Sequence, residues 1–223
     1  NSKVYYTPIA PPPVTLNTAP ALPTWGVIKT NALFSSGRIE FELKLAGSRT
    51  SCQICLGGAF SPVNVGINVG EFAYSVSGWD FAKKQYSQLI NVGSRDSVPN
   101  EEWIPVEIEV VGSACVMRIS GVEVCRTGVV LDMAQFSFMF YGADAAEIQC
   151  IKIKPVRPKV FAVMQFTEEF NEVFEDVISP LCDEFGYEVV RADDIYNNGL
   201  IIQDIVSSIE EASLIVADIT PDN

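Results

Sequence analysis

The feature that most constrains this chain is a change of hydrophobic period near residue 155. Between Trp25 and Lys154, short runs alternate apolar and polar residues and are broken by Gly, Ser, Asn and Asp. After Lys159 the pattern becomes a continuous apolar run followed by apolar residues three and four apart. Period two belongs to strands with one buried face, and period 3.6 belongs to helices that bury a stripe. A chain that switches between them folds as two units, one all-β and one α/β.

In the first part the runs include GRIEFELKL, VNVGINVG, EFAYSVSG, WIPVEIEVVG, QFSFMFYG and EIQCIKIK, and ACVMRIS pairs with VEVCRTG across Ser120 and Gly121. Regularly spaced strands of this kind predict an antiparallel β-sandwich over residues 25–154. Residues 8–23, PIAPPPVTLNTAPALP, are too rich in proline for helix or central strand, so residues 1–24 read as an extended arm. KPVRPK marks a linker at 155–159.

Beyond it, KVFAVMQF reads as a strand buried on both faces, and TEEFNEVFEDVISPLCDEFG as an amphipathic helix that ends at Gly186 and is disturbed by Pro180 near Ser179. YEVVRAD, LIIQDIVSSIEEA and SLIVADI continue as strand, helix and strand. The βαβαβ order predicts a partial, flavodoxin-like parallel sheet over 160–223 with strand order 2-1-3. Thr220 and Pro221 resemble the start of another helix, so the third strand is expected to be an edge that a partner, a second copy or further chain covers.

Charge separates the two parts as sharply as periodicity does. Of 15 Lys and Arg and 28 Asp and Glu, residues 159–223 hold only two of the bases but fifteen of the acids, which accounts for the whole net charge of −13. Neither part offers the clustered cations that bind polymeric DNA or RNA. The sequence lacks a run of apolar residues long enough for a membrane span and a basic, apolar leader at Asn1, and its six cysteines lie mostly in apolar strands; a reducing cytoplasm is the expected setting. Cys52 and Cys55 fall on opposite faces of a strand and cannot share a metal ion. The absence of histidine excludes His-based triads and His-ligated metals.

Candidate sites follow from the topology. Ligands of a doubly wound sheet bind beyond the carboxyl ends of its strands, which brings Gln165, Phe166 and Thr167 opposite Asp218, with Arg191 and Asp193 nearby. Phe166 suits stacking on a base, the helix start after Thr167 suits an anion, and the carboxylates suit ribose hydroxyls. Structural alternatives stand beside each: Asp218 as a turn cap, Arg191 paired with Asp193 or Asp194, and Phe166 in the core. In the sandwich, Trp79, Asp80 and Trp103 are candidates for a sugar or peptide site. Glu40 and Glu42, like Glu107 and Glu109, share a strand face; the row continues to Lys44, which favours a solvated face over a glycosidase pair.

The segments KVFAVMQF, YEVVRADDIYNNGLIIQDI and SLIVADITPDN together resemble the TIR-like domains grouped with nucleoside 2-deoxyribosyltransferases. That resemblance implies cleavage of an N-glycosidic bond in NAD or a related nucleotide as substrate, with no tightly bound cofactor, and with the family's catalytic glutamate beyond Asn223. FSSGRIEFELKL, EEWIPVEIEVVGSACVMRISGVEVCRTG and EIQCIKIKP resemble the concanavalin A-like (laminin G-like) jelly-roll sandwiches, some of which bind carbohydrate. The pair implies a sensor and effector of bacterial defence. The alternatives are a non-catalytic assembly module that self-associates and a lectin-like carbohydrate-binding protein.

Overall fold

The computed structural model describes residues 4–7, 23–193 and 201–219. The proline-rich arm, the Asn-Asn-Gly segment and the Thr220–Pro221 helix start lie outside the described residues. The chain divides into two compact units, a sandwich that ends at Pro155 and an α/β unit that begins at Val156.

Two antiparallel six-stranded sheets build the sandwich. The first runs in the order β1 (Val4–Tyr6), β12 (Ala146–Pro155), β3 (Gly37–Leu45), β8 (Ile104–Val111), β9 (Ala114–Ile119) and β10 (Val122–Gly128). The second runs β2 (Thr24–Phe34), β11 (Ala134–Gly142), β4 (Thr50–Leu56), β5 (Val63–Val69), β6 (Phe72–Asp80) and β7 (Gln85–Ser94). Alternation decides which face of each strand goes inward. In β3, Ile39, Phe41, Leu43 and Leu45 are buried while Arg38, Glu40, Glu42 and Lys44 face out; in β11, Phe136, Phe138 and Phe140 are buried.

The two inner faces meet in aromatic contacts. Phe41 of the first sheet meets Phe138 of the second edge to face at 5.2 Å, and Tyr6 stacks on Phe140 at 5.3 Å. The single proton of the Tyr6 hydroxyl lies within reach of two acceptors, the Thr24 and Gly142 carbonyls at 2.8 and 3.1 Å, so the short strand β1 is pinned by its side chain as well as by pairing with β12. Cys52 is in the core and Cys55 on the opposite face, as the period-two reading requires. Burial pushes the Cys115 thiol up to about 12 and the Cys125 thiol up to about 11, so both are packing groups rather than nucleophiles.

The β9–β10 hairpin turns at Ser120 and Gly121, both with positive φ (49° and 80°), the backbone that two-residue hairpins favour. A Cβ at Gly121 would meet nothing within 4 Å, so Gly121→Ala should cost only the conformational penalty, about 1–2 kcal/mol, in urea unfolding. An unchanged midpoint would mean that the turn does not hold this geometry.

In the α/β unit, β13 (Lys159–Val163) lies between β14 (Glu188–Arg191) and β15 (Ala212–Ala217), all parallel, in the expected 2-1-3 order. Val160, Phe161 and Ala162 of the central strand are buried. The helix after β13 is α1 (Glu168–Val173), a π-turn (Phe174–Ile178) and α2 (Ser179–Glu184). The irregularity expected at Ser179 therefore sits one turn earlier. Pro180 has no N–H to donate and its ring crowds the carbonyl four residues back, and the wider π-turn relieves both. Gly186, at φ 76°, ends the helix: its N–H donates to the Asp183 carbonyl and that of Tyr187 to the Cys182 carbonyl. The second helix is α3 (Ile201–Glu211). Leu214 and Ile215 of β15 are adjacent and both about half exposed, so this edge strand is open on its two faces rather than buried.

Candidate functional site

On the face of the second sheet turned away from the core, the β6–β7 hairpin carries an aromatic cluster. Trp79 pairs with Tyr86 directly across the two strands, their ring centroids 5.2 Å apart and nearly perpendicular, and Phe81 meets Trp79 edge to face at 6.5 Å. Phe81 is 56% and Tyr86 42% exposed, so the rings offer apolar surface to solvent. Alternation puts Ser77 on the face of Trp79 and Gln88 on that of Tyr86; Ser77 pairs with Gln88 on one side and Asn64 on the other. The Tyr86 hydroxyl hydrogen-bonds the Asn64 side chain, and burial raises its pKa, so it stays a neutral phenol. The result is an aromatic platform with one exposed amide, Gln88, in the adjoining row, Ser77 and Asn64 being buried.

Asp80 has a structural task at the end of this platform. One carboxylate oxygen accepts from the Ala82 and Lys83 amides (3.0 and 3.1 Å) and the other is 2.9 Å from the Lys83 ammonium, which holds the carboxyl below its ordinary range. It builds the turn that presents Phe81. Trp103 precedes β8 in the other sheet, so it does not share a sheet face with Trp79. Sequence reasoning missed Phe81 and Tyr86; the available signal was a second aromatic seven residues after Trp79, across the turn FAKK.

The carboxylates on the outer face of the first sheet are engaged by cations or, for Glu42, by an amide. Glu109 accepts from Arg38 and Arg118, both at 2.7 Å; Glu107 pairs with the same two arginines; Glu40 accepts from Lys154 at 2.9 Å and Glu42 from Gln149 at 2.7 Å. Glu40, Glu42, Glu107, Arg118 and Lys152 line a cleft of about 230 Å³. A glycosidase acid needs a raised pKa. Here Lys154 lowers that of Glu40, and hydrogen bonds from Arg38 and then Arg118 lower that of Glu109, which supports the solvated-face reading.

These pairs set the acid limit of the sandwich. Asp144 is likewise held down by the Arg49 guanidinium, which bonds it from both Nε and Nη2. Carboxyls that ionise more readily folded than unfolded stabilise the fold above the unfolded pKa of about 4, and that contribution disappears as pH falls through the folded values. Urea midpoints should stay level from about pH 7 to 5 and fall below about pH 4. A midpoint that rises on acidification would contradict this.

In the α/β unit the carboxyl ends of the strands meet as the topology predicts. The Ala192 and Asp218 amides donate to the Ala162 and Val163 carbonyls (3.0 and 2.8 Å), which brings both outer strands against the end of β13. Arg191, which is buried, donates from Nε to Asp193 at 2.5 Å and from Nη1 to Asn171 at 2.7 Å. Its guanidinium lies 5.5 Å from the Phe166 ring centre and 5.2 Å from that of Phe174. The pairing alternative for Arg191 is thus what is observed, whereas Phe166 is exposed rather than in the core. Thr167 occupies the N-cap position of α1 without a side-chain capping bond, and Gln165 is half-buried between Met164 and Phe166. Asn171 and Phe174 were not singled out in the sequence.

Among the described residues there is no cluster of three or more metal-ligating side chains, and no helix is long and apolar enough to cross a membrane. No protein-family model and no curated protein matches the sequence. Accordingly, nothing in the comparisons supports the TIR-like, NAD-cleaving or defence expectations. Similar solved structures cover part of the chain, 58% of it in each of three examples. They include the carbohydrate-binding module CBM66 from Bacillus subtilis, with 11% identity, a TM-score of 0.49, and 58% of this chain and 81% of that one covered. A tetrameric galectin from the ball sponge Cinachyrella has 11% identity and a TM-score of 0.42, with 58% and 99% covered. A prokaryotic β-1,3-1,4-glucanase from a mouse hindgut metagenome has 8% identity and a TM-score of 0.46, with 58% and 71% covered.

Proposed function

We propose that the sandwich is a carbohydrate-binding, lectin-like module without catalytic activity, and that a saccharide stacks on the Trp79, Phe81 and Tyr86 platform. The observation that carries this reading is the platform itself. Sugar rings present apolar C–H faces and hydroxyl rims, and a site for them needs exposed aromatic surface beside neutral hydrogen-bonding groups. Trp79 has the exposed Gln88 amide near it, whereas Ser77 and Asn64 are each only 7% exposed and Asn64 is bonded to the Tyr86 hydroxyl. Trp25, 71% exposed, also has polar neighbours, since Thr7 and Thr24 share a cleft with it and Ser51 and Gln53 pair with Tyr141 and Met139, but among the described residues it makes no ring contact like those that Trp79 makes with Phe81 and Tyr86. The charged face of the first sheet is less suited, because its carboxylates and cations already satisfy one another. A glycan array probed with the chain tests the reading: retention on a defined set of oligosaccharides, lost in Trp79→Ala, supports it, and no retention on any glycan defeats it.

A second reading concerns the α/β unit, where Arg191, Phe166 and Phe174 form a cation-aromatic cluster with Asp193 bonded to the arginine, and Gln165, Thr167 and Asp218 are the further candidates of that reading. This arrangement favours binding of a nucleotide over chemistry on it, since Asp193 is already committed to Arg191. Calorimetric titration with NAD should show binding that Arg191→Ala abolishes; the absence of heat with NAD or other nucleotides sinks this second reading.

A further inference from the structure

The helix after β13 exposes an apolar row. Val173, Val177, Leu181 and Phe185 follow one another at intervals of four residues, and the last three are 57%, 51% and 66% exposed. The inner side of the same helix is taken by Phe170, Phe174, Ile178 and Cys182, which are half-buried. Four apolar residues one turn apart make a stripe about 18 Å long, more than the scattered single hydrophobics of an ordinary surface.

Acids flank the stripe. Glu172, Asp176 and Glu184, each one residue before a member of the stripe, have no ion-pair partner among the described residues, while the few cations of the unit are used elsewhere: Arg157 on Asp183, Lys159 on Glu211 and Arg191 on Asp193. The charge selects the occupant. Residues 159–223 carry fifteen acids against two bases, so a second copy, a nucleic acid and an anionic membrane are all repelled. We infer that the exposed face of the Glu168–Glu184 helix is a docking surface for a basic amphipathic protein segment, whose apolar side covers Val177, Leu181 and Phe185 and whose Lys or Arg residues meet Glu172, Asp176 and Glu184. Docking of this kind pairs i, i+4 anchors along two helices and uses rim charges to set specificity. It is independent of the carbohydrate reading, which concerns the other unit.

The test is fluorescence anisotropy with a labelled 18-residue helical peptide, leucines on one face and lysines on the other, titrated with the whole chain. Saturable binding should weaken by about tenfold or more between 50 and 500 mM NaCl. Leu181→Ser and Phe185→Ser should each lower affinity by about fivefold or more with the salt dependence unchanged, because the charge is untouched. Glu172→Gln with Glu184→Gln should instead flatten the salt dependence. Variants are compared only where circular dichroism matches the parent; if the serine variants do not fold, the glutamine pair decides. Three results overturn the inference: equal affinity of the serine variants, an unaltered salt slope in the glutamine pair, or equal binding of a peptide with glutamate in place of lysine.

Discussion

Phe138→Ala is expected to lower the stability of the sandwich by about 3–5 kcal/mol, measured by urea unfolding. The Phe138 ring lies midway between the sheets, edge to face with Phe41 of the opposite sheet at 5.2 Å and with Phe136 of its own strand at 5.7 Å. It is 2% exposed, so its removal leaves a cavity walled by aromatic rings. The adjacent Met139, on the outer side of the same strand, provides the comparison: Met139→Ala should cost about 1 kcal/mol or less. If both substitutions cost the same, the two faces of β11 do not differ as alternation requires.

The second large effect concerns ligand binding. Trp79→Ala should weaken saccharide binding by about 100-fold, the range of a single aromatic anchor, with the unfolding midpoint little changed because the indole is only half-buried. Phe81→Ala and Tyr86→Ala should weaken it less, by about tenfold, because each supplies a flank of the platform. Trp25→Ala serves as the control and should leave affinity unaltered. Calorimetry on a glycan retained by the array measures all four. Equal losses at Trp25 and Trp79 would mean that aromatic exposure alone, and not the Trp79 arrangement, governs binding.

The sandwich was legible because its strands obey the simplest rule available. GRIEFELKL and QFSFMFYG alternate without interruption, and each buries the residues that alternation selects. The Ser120–Gly121 turn was equally plain, since few residue pairs tolerate positive φ twice in succession. Strand β7 escaped notice: its alternation is broken where the register with β6 shifts beyond Val76, and few of its residues are deeply buried. A bulge of this kind moves side chains to the other face and erases the period on which recognition depends. At Pro180 the disturbance was foreseen but displaced, because a helix can distribute the strain over the preceding turn.

The sites were legible in part. Trp79 could be named because an indole next to a turn stands out, yet its partners Tyr86 and Phe81 depend on hairpin register, which a linear reading does not supply. Asp80 could equally be read as a ligand group or a turn former, and only the bonds from Ala82 and Lys83 decide. In the α/β unit, Arg191 and Asp193 could be placed at a strand end by topology, whereas Asn171 and Phe174 reach Arg191 from the helix and depend on packing. Charge was the most transferable signal. Some of the acids concentrated after Lys159, Glu172, Asp176 and Glu184 among them, reappear beside exposed apolar residues, and that juxtaposition needs coordinates to be seen.

The central claim is that the sandwich binds saccharide through the Trp79 platform, and it can be put to a direct spectroscopic test. The chain has three tryptophans, Trp25, Trp79 and Trp103, and therefore three indole N–H resonances. In a proton–nitrogen correlation spectrum of the labelled protein, titration with a retained oligosaccharide should shift the Trp79 indole signal progressively to saturation and leave those of Trp25 and Trp103 in place. A saturable shift at Trp25 or Trp103 with Trp79 unmoved would contradict the account.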